Sequence, residues 1–416
     1  MPNSGASQIG NVDLVKQLNS AAVYGLIDQH GPISRIQVAE LSQLAPASVT
    51  KITRQLLERG LIKEVEQQAS TGGRRAISII SETRPFHTVA VRLGRKDATI
   101  GLFDLSSKIV AELSYPLTAK TQHSLQQQLF TIIEQFIAQQ AKITRELIAI
   151  SVILPGLVDP ENGDVRYMPH IDIKHWPLAD ELQKHFSLAS FVGHDIRSLA
   201  LAEYYFGASS DCSDSLLVRI HRGAGAGLII NENIFVGRKG NTVEIGHIQV
   251  DPLGERCDCG HFGCLETVVS NPAIEKRVKQ LIQAGHPSHL SIEHCSMNDI
   301  CTAANNGDPL ACEVLKHAAL TLGKVIASTI NLFTPQKVII AGEITAAETI
   351  LFPIIQRCID TQTLNAFGEN LPVVSSQLGN RSAIGAFALV KRAMLNGKLL
   401  QHLLDDEKKP QARSHY

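Results

Sequence analysis

Three thiols stand within eight residues, Cys257-Asp-Cys259-Gly-His-Phe-Gly-Cys264, and an imidazole, His247, precedes the first of them by ten positions. Few folded arrangements satisfy such a cluster. The chain begins MPNSGASQIGNVD, with neither a basic start nor an apolar core typical of secretion, so a cytoplasmic location is expected and a disulfide framework is not. Three thiolates and one imidazole instead match a closed tetrahedral Cys3His zinc site. Gly254, Gly260 and Gly263 let the loop double back so that the sulfurs converge. No coordination position is left open, so a structural Zn2+ is expected, with His261 as a rival fourth ligand. Cys212, Cys295, Cys301, Cys312 and Cys358 are scattered and read as buried thiols.

At 416 residues, two or three domains are expected. Hydrophobic residues at 44% supply large cores, and no apolar run reaches the roughly 18–20 residues of a membrane span. The net charge of −1 excludes bulk polyanion binding, so any basic surface must be local. Residues 1–80 hold eight Lys and Arg against six Asp and Glu.

The N-terminal domain, residues 1–81, reads as three helices and a short hairpin. Val12, Val15, Ala22, Val23, Leu26 and Ile27 share one helical face that Gly31-Pro32 ends. Ser34 is placed to cap a second helix, and Ala47 to Arg59 form a third, with Val49, Ile52, Leu56 and Leu57 inward and Gly60 as its stop. Leu61-Ile62 and Ala76 to Ile80 flank a polar turn and read as a wing. In a winged helix-turn-helix the third of these helices enters the major groove. Its outer face would carry Ala47, Ser48, Thr50, Lys51, Thr53 and Arg54, with Arg35 nearby on the preceding helix. Small residues permit close approach to base edges, and Lys51 and Arg54 reach guanine or phosphate. Arg74 and Arg75 at the wing tip suit a narrow, A·T-rich minor groove. The alternative is a three-helix protein-interaction domain with a basic loop.

From residue 82 the pattern becomes α/β. Three strands, Phe86–Leu93, Ala98–Phe103 and Lys108–Leu113, precede a helix and a buried strand, and a similar order recurs later. This suggests a two-lobed body: a first lobe at 82–195 and 381–404, a second at 196–380 with the cysteine loop and a dimerisation surface, and a disordered tail at 405–416.

The stretch Glu244 to Glu266, with its Gly-His and Cys-x-Cys-Gly-x-x-Gly-Cys-Leu-Glu pattern, resembles the ROK family of repressors, open reading frames and sugar kinases. AVYGLIDQHGPISR, LAPASVTKI, PGLVDPENGDV and NLFTPQKVII extend the likeness over nearly the whole chain. With the winged helix present, the chain looks like the repressor branch, nearest its glucose-responsive members. The resemblance implies an actin/hexokinase-like body and zinc on His247, Cys257, Cys259 and Cys264. It also implies homodimers or tetramers on palindromic operators of sugar-uptake genes. In the glucose-responsive branch it further implies release by the dephosphorylated IIB domain of the glucose phosphotransferase transporter, which would recruit the repressor to the membrane. Direct induction by a sugar or sugar phosphate is the alternative.

Kinases of the family open their first hairpin with Asp-x-Gly-Gly-Thr. Here the turn is Val91-Arg-Leu-Gly94-Arg-Lys-Asp97, which has lost the acid and one glycine. No ATP and no catalysis are therefore expected, because phosphoryl transfer depends on positioning and neutralising the phosphates. A second glycine run, Gly223 to Gly227, survives and is ambiguous with packing. By resemblance, His194, Asp195, Glu244, His247 and Glu266 form a vestigial sugar site, with His194 where kinases carry Asn; zinc-loop support is the competing role for the two glutamates. On the helix near Leu125–Gln140, Leu125, Leu129, Ile132, Ile133 and Phe136 form a core stripe that Phe130 and Ile137 widen on its flank; burial is the favoured reading, and a partner face of Phe130, Phe136 and Ile137 is the alternative.

Overall fold

The N-terminal apolar periodicity becomes α1 (Val12–His30), which buries Val23, Tyr24 and Ile27. It stops where the Gly31 amide bonds the Ile27 carbonyl. After β1 (Ile33–Ser34), Ser34 and Gln37 form a reciprocal capping box that starts α2 (Arg35–Ser42). α3 (Pro46–Glu58) buries Val49, Ile52, Thr53 and Leu56. Gly60 takes φ 76° just beyond its end. There the Gly60 amide reaches the Leu57 carbonyl at 3.0 Å and the Leu61 amide the Leu56 carbonyl at 2.9 Å. That pair of bonds is a Schellman stop, which glycine adopts without steric cost. β2 (Ile62–Glu66) and β3 (Ile77–Ser81) pair antiparallel and complete a sheet in the order β1-β3-β2. The computed structural model describes residues 12–66, 77–237, 243–378 and 383–405, so Arg74, Arg75 and nearly all of the C-terminal tail lie outside the described residues.

Next come β4 (Phe86–Leu93), β5 (Asp97–Asp104), β6 (Ile109–Pro116), α4 (Gln122–Gln140) and β7 (Glu146–Leu154). Two short strands, β8 (Leu157–Val158) and β9 (Val165–Tyr167), precede α5 (Leu178–Phe186) and β10 (Ala189–His194). The first five-stranded sheet runs β10-β7-β4-β5-β6. β4 and β7 are almost wholly buried and read as near-continuous apolar runs, whereas β6 lies at the edge and is largely exposed.

α6 (Asp195–Phe206), β11 (Ser215–Ile220), β12 (Ala224–Ile230) and β13 (Asn233–Ile234) follow, then α7 (Glu266–Val269), α8 (Asn271–Gln283), α9 (Met297–Asn305) and α10 (Pro309–Phe333). The chain ends with β14 (Lys337–Ala341), α11 (Glu348–Gln362), α12 (Asn365–Gly368), β15 (Val373–Ser375), α13 (Ile384–Leu395) and α14 (Lys398–Asp405). The second sheet runs β13-β12-β11-β14-β15, antiparallel at β11–β12 and parallel at β11–β14.

Two units result: Met1–Val152, Pro177–Val192 and Ala386–Tyr416 in one, Ile153–Trp176 and Gly193–Gly385 in the other. In the first, the core of the winged segment runs on into the sheet. Tyr24, Ile27 and Leu56 belong to the same apolar cluster as Phe86, Ile148, Val390, Leu399, Leu400 and Leu403. A largely buried ion pair, Lys391–Asp28 at 2.6 Å, ties α13 to α1. In the second, β11 and β14 are sandwiched with α10, whose Leu315, Ala319, Leu322 and Ile326 are buried.

Candidate functional site

Ala47, Ser48, Thr50, Lys51 and Arg54 form one exposed face of α3. Arg54 pairs only loosely with Glu58, at 3.8 Å on the exposed surface, so its guanidinium remains available. Thr53 differs from the expectation. It is fully buried, and its hydroxyl donates to the Val49 carbonyl at 2.8 Å. The helical period turns this position toward α2, so Thr53 does not belong to the outward face. Arg35 is committed internally as well: its Nε donates to Thr53 Oγ1 at 3.2 Å and its Nη2 to Glu64 at 2.7 Å. It binds α2, α3 and the wing strand to one another.

His247, Cys257, Cys259 and Cys264 bring their donor atoms within 4.8 Å of one another, and His261 is not among them. Cys259 Sγ lies 3.7 Å from Cys264 Sγ, and Cys257 Sγ 3.7 Å from His247 Nδ1. Tetrahedral zinc with bonds of about 2.3 Å to sulfur would space its ligands by about 3.5–3.8 Å. The cluster is thus compatible with a zinc site. Gly263 takes φ 65°, and a Cβ there would sit 1.5 Å from the Asp251 carbonyl oxygen, so only glycine closes this loop.

The second unit also holds the residues of the expected sugar site, of which His194, Asp195 and Glu244 lie together. His194 ends β10 and Asp195 opens α6. Asp195 Oδ1 lies 3.6 Å from His194 Nε2, and its Oδ2 lies 3.6 Å from Arg219 Nη1. Burial, outweighing the attraction of Asp195, holds the His194 pKa below its ordinary value, so the ring is neutral at pH 7. Its Nδ1 is buried without a hydrogen-bond partner, and Glu244 is near enough to act on it electrostatically. Glu266 instead faces the β11–β12 turn, where its carboxylate accepts the Ala224 amide at 3.0 Å.

The glycine run lies mostly within β12 rather than in a phosphate loop. A Cβ on Gly225 would meet Ile196 at 2.3 Å, and one on Gly227 would meet Ala200 at 2.6 Å, so these glycines let the strand press against α6. The β4–β5 turn closes on itself through the Gly94 amide and the Asp97 carbonyl at 2.7 Å.

A further group escaped the sequence reading. His221 follows β11 and Glu343 follows β14, so the parallel pairing of these strands places both at their carboxyl ends. His221 Nδ1 lies 2.9 Å from Glu343 Oε2, to which Asn271 Nδ2 also donates at 2.9 Å. The bond to His221 holds the Glu343 carboxyl down to about 2. An acid and a histidine immediately after two buried strands were the available signals. Phe136 is fully buried, as its place in the core stripe implies, while Phe130 lies half-buried against His185 and Phe186 and Ile137 is half-buried as well. The flank of that stripe packs α4 against α5, through Phe130 with His185 and Phe186.

The chain belongs to the ROK family, whose sequence pattern matches residues 88–393. Two Escherichia coli proteins, the DNA-binding transcriptional dual regulator NagC of strain K12 and the N-acetylglucosamine repressor of strain O157:H7, are each 66% identical to it, over 98% of this chain and all of theirs. The E. coli transcriptional repressor Mlc is 40% identical over 96% of this chain and 98% of its own. The crystal structure of a ROK family transcriptional regulator described as an Mlc homologue superposes with a TM-score of 0.90 at 42% identity, covering 94% of this chain and all of that one. The protein is accordingly a transcriptional repressor of the NagC and Mlc type and not an enzyme. No described helix is long and apolar enough to cross a membrane.

Proposed function

We propose that this protein represses genes for N-acetylglucosamine uptake and use, and that N-acetylglucosamine, free or phosphorylated, releases it from DNA. The operator is palindromic and A·T-rich, read by a homodimer or tetramer. Ala47, Ser48, Thr50, Lys51 and Arg54 approach the major groove, and Arg74 and Arg75 the minor groove. The inducer occupies the corner of the second unit formed by His194, Asp195 and Glu244, with His247 and Glu266 bordering it.

The observation that carries this reading is the His194 Nδ1: a buried, unpartnered nitrogen on a neutral ring beside Asp195 and Glu244. A buried polar atom without a partner costs about 1–3 kcal/mol, which a ligand hydroxyl or amide would recover. The sugar is that of the N-acetylglucosamine repressor to which the chain is 66% identical. Zinc on His247, Cys257, Cys259 and Cys264 serves as a cross-link that fixes the loop bearing His247. The IIB domain of the glucose transporter is the competing inducer. The test is calorimetric titration of the repressor with N-acetylglucosamine, its phosphate ester and the dephosphorylated IIB domain. Heat with a sugar, lost in His194→Ala, supports direct sensing; heat with IIB alone contradicts it.

A further inference from the structure

Arg59 is the residue that closes the recognition helix α3, and its side chain is only 15% exposed. An arginine so placed needs several partners, and it has them on three other elements of the same unit. Its Nη1 donates to Glu146 Oε2 at 3.1 Å and its Nη2 to the other oxygen of that carboxylate, so the pair is bidentate at the start of β7. Its Nε donates to the Leu403 carbonyl of α14 at 3.1 Å. Its guanidinium carbon lies 5.2 Å from the centre of the Phe86 ring on β4. All three nitrogens of one planar group are therefore fixed, and a bidentate fork stacked on an aromatic ring has one orientation. Other polar ties of the segment among the described residues, Lys391 to Asp28, Lys16 to Asp405 and Gln17 to the Asn396 carbonyl, involve α1 and not α3.

We infer that Arg59 is a positioning residue: it sets the angle of α3 on the sheet, and with it the separation of half-sites that the assembled repressor accepts. In a two-fold assembly the distance between recognition helices is the distance between half-sites. An angular change at the base of α3 thus alters spacing preference while leaving the base-reading face intact. The inference rests on the operator reading given above.

Duplexes selected by the wild-type protein from a randomised pool are rebuilt with the half-sites moved together or apart by about one or two base pairs, and one isolated half-site is included. Arg59→Gln and Glu146→Gln are compared with wild type by fluorescence anisotropy; Glu146→Gln retains shape and one acceptor should Arg59→Gln misfold. Both variants are expected to lose about fivefold or more at the preferred spacing, to stay within about twofold on the isolated half-site, and to narrow the gap between spacings. Arg59→Lys, which can pair with Glu146 but cannot form the fork, should fall between. A spacing profile of unchanged shape, whether every duplex weakens equally or none does, overturns the inference. Failure of the wild-type protein to select any sequence overturns the operator reading and this inference with it.

Discussion

Replacing Leu400 by alanine tests whether the N-terminal winged segment and the first sheet share one core. Leu400 is fully buried on α14, in the cluster that contains Tyr24 and Ile27 of α1 and Phe86 of β4. Truncating a buried leucine costs about 2–5 kcal/mol, from lost transfer energy and the cavity left behind. Each 1.4 kcal/mol is about a factor of ten, so cooperative opening of this unit should become about 30-fold to a few thousand-fold more frequent. Amide hydrogen exchange followed by mass spectrometry reads this directly, because peptides from α1, α3, β4 and β5 report separately. All four are expected to lose protection together. The chain's single tryptophan, Trp176, is buried in the other unit, so its fluorescence provides a check that the other unit stays folded. Faster exchange confined to α1–α3, with β4 and β5 unchanged, would refute the shared core.

Thr53→Val should lower stability by about 1–2 kcal/mol, since it strips Arg35 Nε of its acceptor, yet leave the ranking of operator sequences unchanged; a sequence-dependent affinity loss in mobility-shift assays would contradict its burial. Cys264→Ser, or chelation with verified zinc loss, should lower the melting temperature and increase proteolysis between residues 248 and 264, because metal binding and loop folding are one equilibrium; an unchanged melt and digest would exclude a structural ion. Glu343 contributes stability above its unfolded pKa of 4.5 that is lost as pH falls toward about 2, because its folded value is depressed. Glu343→Gln should therefore flatten the acid limb of the stability curve across that window, and an unaltered limb in acid denaturation would show that the contact with His221 contributes nothing.

What the sequence conveyed well was local. Ser34 with Gln37, and Gly60 after a run of helix formers, are punctuation written in adjacent residues, and the structure realises both. The cysteine spacing likewise encodes its own closure, and the cluster gathers His247 with the three cysteines and leaves out the rival His261. What failed was facing. Thr53 lies at the margin of a helical arc, where one residue step decides between core and surface, and neighbouring elements settle it. The Gly223–Gly227 run stays ambiguous in the sequence because glycine spacing alone does not distinguish close approach to a ligand from close approach to a helix. His221, Glu343 and Arg59 were invisible because their partners lie 122 or 87 residues away in sequence.

The most direct test of the central claim is anisotropy of a selected operator duplex with the full-length protein, titrated with N-acetylglucosamine and its phosphate ester. The account predicts sequence-specific binding that either form of the sugar reverses in wild type but not in His194→Ala. Specific binding that neither form disturbs, and that only the IIB domain relieves, would contradict it.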